Sequence, residues 1–347
     1  MKVSIIVGGE ASGKERDFSD RVDYVVEAEK LGVHSVWTAE AWGEDAIAPL
    51  AYLAAKTERI MLGTGIMQIS ARVPAMTAMT ALTMAAISDD RFLLGLGASG
   101  PQVVEGLQGR PFEAPLTRMR ETVEIIKLAF AGEKVRYDGA YHQLPLPGGE
   151  GKALRLAQPG NDTIPIYLAT LGPKALEYTG AVADGWLGTC FTPESPGAHL
   201  DHLRAGAEAA GRSLRDIDIH VDATVAFGDD LDALVAPLKP GLAFMLGAMG
   251  SAKTNFYNDA FKRGGWQEAG VEVQKLWVER RHDEAIARVP DRMVLESNLL
   301  GDDAAVRTRL QAYQNAGVTT LQVNPAGSST AEKLETLGRT MDLVKAL

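Results

Sequence analysis

Short β-rich runs alternate with amphipathic helical runs along the whole chain, and that alternation is the pattern of a parallel sheet covered by helices. "KVSIIVG" reads as a strand; Phe18, Val22, Val25 and Ala28 then recur at helical spacing, and "HSVWTAE" is a strand again. The unit repeats with the helix "APLAYLAAKT", the strand "RIMLGTGI", the helix "PAMTAMTALTMAAIS" with Pro74 in its first turn, and the strand "RFLLGLG". Leu116, Met119, Val123, Ile126 and Phe130 make the next apolar stripe. After the excursion "LPLPGGEGKALRLAQPGNDT", read as a surface insertion, come the strand "IPIYLAT", the helix "GPKALEYTGAVA" and the strands "DGWLGT", "IDIHVDATVAFG" and "TTLQVNP". Eight strands with helices between them predict a (β/α)8 TIM barrel in the α/β class, one domain over residues 1–347. The stretch from about Asp229 to Leu300 is too long for a single crossover; its Met-rich helical sequence predicts an insertion packed over one barrel end.

Composition narrows the partners. A formal charge of −10 without a dense basic cluster argues against nucleic acid. The apolar run in "MKVSIIVGGE" is too short for a signal peptide or membrane span, so a cytoplasmic protein with no membrane partner is expected. Cys190 is the only cysteine, which rules out an internal disulfide and a thiolate cluster, and it reads as a small buried hydrophobe. His199 and His202 lie a turn apart among charges and read as a surface face; no metal is assigned.

Two motifs imitate nucleotide loops. Gly95, Gly97 and Gly100 in "GLGASG" spell G-x-G-x-x-G, but about 20 residues on stands the amphipathic helix with Glu121 and Glu124, read as solvent-facing, where a ribose-binding acid should end a strand. Gly8, Gly13 and Lys14 in "GGEASGKE" match G-x-x-x-x-G-K, but Glu15 stands where a Ser or Thr should hold Mg²⁺. A different use remains for glycines at strand ends: "GTGI" and "GLGASG" leave backbone bare for a flat ring, on the barrel face that carries active sites. In "ATLGPKALEY", Gly172 and Pro173 open a helix whose free N–H groups and dipole favour a phosphate, with Lys174 adding positive charge.

The segments "SVWTAEAWGEDA", "RIMLGTGIMQISARVPAMTAMTAL", "RFLLGLGASGPQVVEG", "PLTRMRETVEIIK", "IPIYLATLGPKALEYTGAVADGW" and "AGVTTLQV", in this order, resemble the luciferase-like monooxygenase superfamily, specifically its coenzyme F420-dependent oxidoreductase branch. "GAMGSAKTNFYNDAFKRGG" is similar to one actinobacterial subgroup of it. The resemblance implies a bacterial luciferase-like barrel with insertions at its C-terminal face and a cis peptide at Gly65–Ile66 supporting the middle ring of the deazaflavin. It further implies that Gly97, Ala98, Ser99 and Gly100 border the ring and ribityl chain, and that Ala169, Thr170, Leu171, Gly172 and Pro173 hold the phosphate. Thr38 and Glu40 match positions lining the ring edge, with Trp42 beside them. Family members often carry His or Asp where this chain reads Ala39–Glu40, and some carry an acid where Ser99–Gly100 stands. Glu40 is the first choice for the general acid or base, since a carboxyl in a desolvated cleft can titrate upward.

The expected activity is hydride transfer between coenzyme F420 and a small organic substrate, with Phe244, Met245 and Met249 of the insertion as candidate pocket residues. Two alternatives stay open: an FMN-dependent monooxygenase fed by a separate reductase, and a catalytically silent flavin-fold binding protein. A homodimer is implied by the resemblance, with "PAMTAMTALTMAAIS" compatible with its interface, and Arg72 is a surface candidate for a polyglutamate tail.

Overall fold

The computed structural model describes residues 1–8, 18–250 and 254–347. Gly13, Lys14 and Glu15 of the phosphate-loop imitation lie outside the described residues. The eight expected strands are Lys2–Ile6, Ser35–Thr38, Met61–Thr64, Phe92–Gly97, Ile166–Ala169, Gly185–Gly188, Asp218–Phe227 and Thr320–Pro325, numbered below in words from first to eighth. Each is bonded to its neighbour in chain order, and the eighth pairs with the first, Lys2 lying opposite Thr320. That order closes a (β/α)8 barrel. Two further short strands extend the ten-stranded sheet: Met67–Gln68 beside the fourth, and Leu299–Gly301 on the upper end of the seventh.

The helices start where the chain supplies the means. Pro74, Pro101, Pro115 and Pro173 each occupy a first turn, where the missing N–H has no intrahelical role. The side chains of Asp230, Asn255, Asp302 and Ser329 accept the N–H three residues on, capping four more helices.

Contacts divide the described residues into two compact units. One holds Trp37–Ala169. The other holds the first strand, the helix Phe18–Leu31 and everything from Thr170 onward.

In the first of these units, Glu121 corrects the sequence reading: it is buried, 5% exposed, and does not face solvent. Its carboxylate accepts the N–H groups of Ala140, Tyr141 and His142 and contacts His142 Nδ1 at 3.1 Å, tying the hairpin Tyr137–Asp138/Gln143–Leu144 to the helix Pro115–Phe130. Burial pushes this carboxyl upward, but the hydrogen bonds from Tyr141, His142 and Ala140 outweigh it and hold it below its ordinary value. The helix Pro74–Ile87 buries Ala78, Ala81, Leu82, Met84 and Ala85, while Met76, Met79 and Ile87 stay exposed.

In the other unit, the helices Pro173–Val182 and Gly197–Ala209 cross with their backbones touching. A Cβ on Gly206 would lie 1.8 Å from the Glu177 carbonyl oxygen, and one on Gly180 2.0 Å from that of Leu203. His199 is a second correction: it is 1% exposed, against Trp186 and Phe191, and not on a surface face. The rings of Trp186 and Phe191 close over it, and among the described residues neither of its ring nitrogens has a hydrogen-bond partner. Among the described residues, Leu231 to Ser297 form six α-helices and one 3-10 turn, packed on a shared core of Leu242, Leu246, Phe261, Val273, Met293 and Val294.

Candidate active site

The third strand ends on a support built from an aromatic ring and a glycine. Trp37, fully buried, lies where the Gly63 side chain would be; a Cβ there would sit 2.3 Å from the ring. Beyond Thr64 the Gly65–Ile66 bond is cis, as the resemblance implies. Gly65 donates to the Thr38 carbonyl at 2.7 Å, Glu40 donates to the Ile66 carbonyl at 3.0 Å, and pairing with the fourth strand resumes at Met67–Gln68. Gly97 lies against the same bulge: a Cβ on it would be 2.7 Å from Ile66 Cδ1. The structure therefore brings Thr38, Gly65, Ile66 and Gly97 together. It also corrects the idea that every glycine here clears space for a ligand, because the space beside Gly63 is filled by Trp37 and that beside Gly97 by Ile66.

Glu40 stands under this bulge, 9% exposed, with its carboxylate fully engaged. Oε1 accepts from Ala46 N–H at 3.2 Å and meets Arg72 Nη2 at 2.6 Å. Oε2 accepts from Gln68 N–H at 3.2 Å and Arg72 Nη1 at 2.8 Å. A bidentate guanidinium on a sequestered carboxylate is the strong form of ion pair. Arg72 is thus committed to Glu40, which corrects its reading as a surface contact for a polyglutamate tail. Thr38 is likewise engaged, its hydroxyl donating to the Ala46 carbonyl at 2.7 Å, and Trp42 is exposed. Sequence reasoning missed Gln68, whose side-chain amide bridges the Glu40 carbonyl and Ser99 Oγ while its carbonyl accepts from Gln108.

Ala98, Ser99 and Gly100 follow the fourth strand, Ser99 in the left-handed region at φ 58°. At Gly100 a Cβ would meet nothing within 4 Å, so the backbone there borders open space.

The other unit supplies the expected phosphate segment. Thr170 is occupied by the fold: its hydroxyl bonds Thr179 Oγ1 at 2.8 Å and its carbonyl accepts from Trp186 Nε1 at 2.9 Å. Those bonds fix the chain entering the helix Pro173–Val182, whose N-terminus has no side-chain cap. At Gly172, too, a Cβ would meet nothing within 4 Å, and Lys174 is exposed beside it. Orphan N–H groups at such a helix start invite an anion. Arg263, unnoticed in the sequence, donates to the Leu171 carbonyl.

A cavity of about 170 Å³ lies in this same unit, where the sixth and seventh strands meet the insertion helices. Met245 lines it. Phe244 instead is exposed against Trp277 at 5.9 Å, and Met249 is not among the lining residues. Cys190, expected as an inert buried hydrophobe, also lines the cavity, as does Asp222, which the sequence reading passed over. Its signal was legible: in "IDIHVDATVAF" the period of two puts His220, Asp222 and Thr224 on one face of a strand.

The model of the family described as "Luciferase-like monooxygenase" matches residues 1–320. The chain belongs to the luciferase-like monooxygenase family. A Mycobacterium tuberculosis protein named as a coenzyme F420-dependent oxidoreductase is 41% identical to this luciferase-like chain over 318 residues, 89% of this chain and 91% of the relative. The fold is shared with the coenzyme F420-dependent tetrahydromethanopterin reductase of Methanopyrus kandleri, at TM-score 0.79 and 23% identity over 97% of both chains. An F420-dependent secondary alcohol dehydrogenase solved with an F420–acetone adduct superposes at TM-score 0.78 and 17% identity, over 99% of this chain and 98% of that one. This luciferase-like protein is an oxidoreductase. Among the described residues no helix is long and apolar enough to cross a membrane.

Proposed function

We propose that the protein transfers a hydride between coenzyme F420 and a small organic substrate. The observation that carries this reading is bare backbone at Gly100 and Gly172, where nothing lies within 4 Å of a Cβ, in a chain 41% identical to a relative named for F420. The cofactor fits these residues on its chemistry: an uncapped helix start beside Lys174 suits a phosphate, and a peptide bulge with an open glycine loop suits a flat ring. When bound, the deazaflavin supplies the two-electron hydride chemistry, and the protein supplies orientation and exclusion of water.

In this reading Gly65, Ile66 and the loop Gly97–Gly100 hold the ring, and Ala169–Pro173 hold the phosphate through backbone N–H groups. Thr38 fixes the loop after the second strand through the Ala46 carbonyl. Glu40, saturated by Arg72 and two backbone N–H groups, is a positioning residue that braces the bulge.

The test is a fluorescence titration of the purified protein. Saturable binding of F420 and not of FMN supports the reading, and the reverse result replaces it with an FMN monooxygenase. Binding without turnover on a panel of carbonyls, enones and alcohols replaces it with a silent binding protein. Gly172→Leu sharpens the test. Its backbone, at φ −73° and ψ 147°, accepts any residue, so the melting temperature falls by only about 1 °C, the cost of an apolar residue at an N-cap, while the new side chain fills the phosphate space. F420 affinity is expected to fall at least about tenfold, with less effect on the phosphate-free deazaflavin riboside.

We further propose a homodimer through the helix Pro74–Ile87, which leaves Val73, Met76, Met79 and Ile87 exposed in one stretch. Sedimentation should show a dimer for the wild type and a monomer for Met76→Glu/Met79→Glu; a monomeric wild type removes the proposal.

A further inference from the structure

The helix Phe256–Arg263 ends on a cation that lacks an acid. Arg263 is its last residue, half-buried, and its guanidinium reaches a carbonyl 92 residues away in sequence: Nη2 donates to Leu171, in the chain entering the helix Pro173–Val182. Among the described residues that carbonyl is its single acceptor, its Nε is buried without a partner, and it forms no ion pair. Asp259, one turn earlier on the same helix, attracts it without coming into ion-pair contact. Its other ionisable neighbours, His199 and the Cys190 thiol, are uncharged at pH 7, because burial holds the first low and the second high.

A guanidinium carries several N–H donors, and taking it out of water costs free energy that an opposite charge has to offset. A basic last turn suits the dipole of its own helix, which accounts for a cation there but not for its reach to another segment. The place it reaches is positive as well. The helix Pro173–Val182 has no side-chain cap, and a helix start carries roughly half an elementary charge on its free N–H groups. Lys174, exposed in its first turn, forms no ion pair among the described residues, and the backbone at Gly172 borders open space. A side chain of the insertion and an uncapped helix start thus converge on one stretch of backbone. With no carboxylate paired to either, the two positive features repel each other until an anion joins them.

We infer that Arg263 is the counter-charge of the cofactor's phosphate ester, contributed by the insertion to the segment Leu171–Pro173. Its bond to Leu171 fixes the carbonyl that precedes Gly172, and its charge offsets that of the phosphate. The inference rests on the F420 reading above and adds to that site a residue from the insertion.

The experiment titrates the full chain with F420 and with the phosphate-free deazaflavin riboside, on wild type, Arg263→Gln and Arg263→Lys. Glutamine keeps an amide donor and removes the charge; lysine keeps the charge. F420 affinity falls about tenfold in Arg263→Gln, the loss of one charge-assisted contact, while riboside affinity changes less than about twofold. Arg263→Lys recovers most of the F420 loss. A role in packing alone moves both ligands together, so equal losses on F420 and the riboside overturn the inference. An Arg263→Gln protein that binds F420 as wild type does, or an Arg263→Lys protein no better than Arg263→Gln, also overturns it. No F420 binding by wild type defeats the proposed function, and FMN against riboflavin then replaces the ligand pair. The same loss confined to FMN keeps Arg263 as the counter-charge of a phosphate, and no phosphate-dependent binding of either cofactor ends it.

Discussion

Arg72→Met should lower the unfolding free energy by about 3 kcal/mol, because it strands the Glu40 carboxylate at 8% side-chain exposure without its bidentate partner. For a 347-residue chain, at about 2.1 cal/mol/K per residue, that is roughly 4 °C in melting temperature. The Ala46 and Gln68 N–H groups still reach the carboxylate and keep the loss at the low end for a broken buried pair. F420 affinity should fall with it, since Glu40 braces the segment carrying Ile66 and Gln68. Glu40→Gln/Arg72→Met should recover much of both losses, as a neutral pair leaves no charge to desolvate. Calorimetry and cofactor titration on the single and double variants measure this cycle. F420 affinity unchanged in Arg72→Met, with turnover abolished in Glu40→Gln/Arg72→Met, would mark Glu40 as the proton donor, and the bracing role would be abandoned.

His199→Phe should remove an acid sensitivity. Burial lowers the His199 pKa to about 4, with Arg263 and then His202 adding to the shift. The unfolded chain, with an ordinary value near 6.5, binds the proton first. Between pH 6.5 and 4 the unfolded state therefore carries more protons, stability rises with pH, and acidification through that window destabilises the fold. From pH 7 to pH 5 the His199 contribution is about 2 kcal/mol. His220, also lowered to about 4 chiefly by burial, acts in the same direction and remains in the variant. Urea unfolding at the two pH values gives the answer as a difference, in which any overpacking by the phenyl ring cancels. Equal loss in variant and wild type would show that His199 reaches water in the folded state.

Both predictions come from places where sequence reading and structure part. The eight strands were legible because period and turn chemistry are local properties of the chain, and so were the helix starts at Pro74 and Pro173. Gly65, Ile66 and Gly97 were found by resemblance, and the structure groups them with Thr38. Arg72 could not be found that way: it lies 32 residues from Glu40, and only the return of the chain after the third strand brings the two charges together. Glu121 and His199 failed for a related reason. A charge pattern along a helix shows which residues are polar, but not that a hairpin will supply three N–H groups to one of them or that aromatic rings will close over the other.

The chain by itself determined the barrel, since alternating periods of two and 3.6 with bare glycines at strand ends admit few other packings. Only the tertiary structure decided which glycines leave room and which are filled. The spaces beside Gly63 and Gly97 belong to Trp37 and Ile66, while those at Gly100 and Gly172 stay open. It also decided the state of each acid. Glu40 is held by a guanidinium and Asp222, among the described residues, has no such partner, because desolvation and Coulomb attraction depend on what surrounds a carboxyl in space and not on its neighbours along the chain.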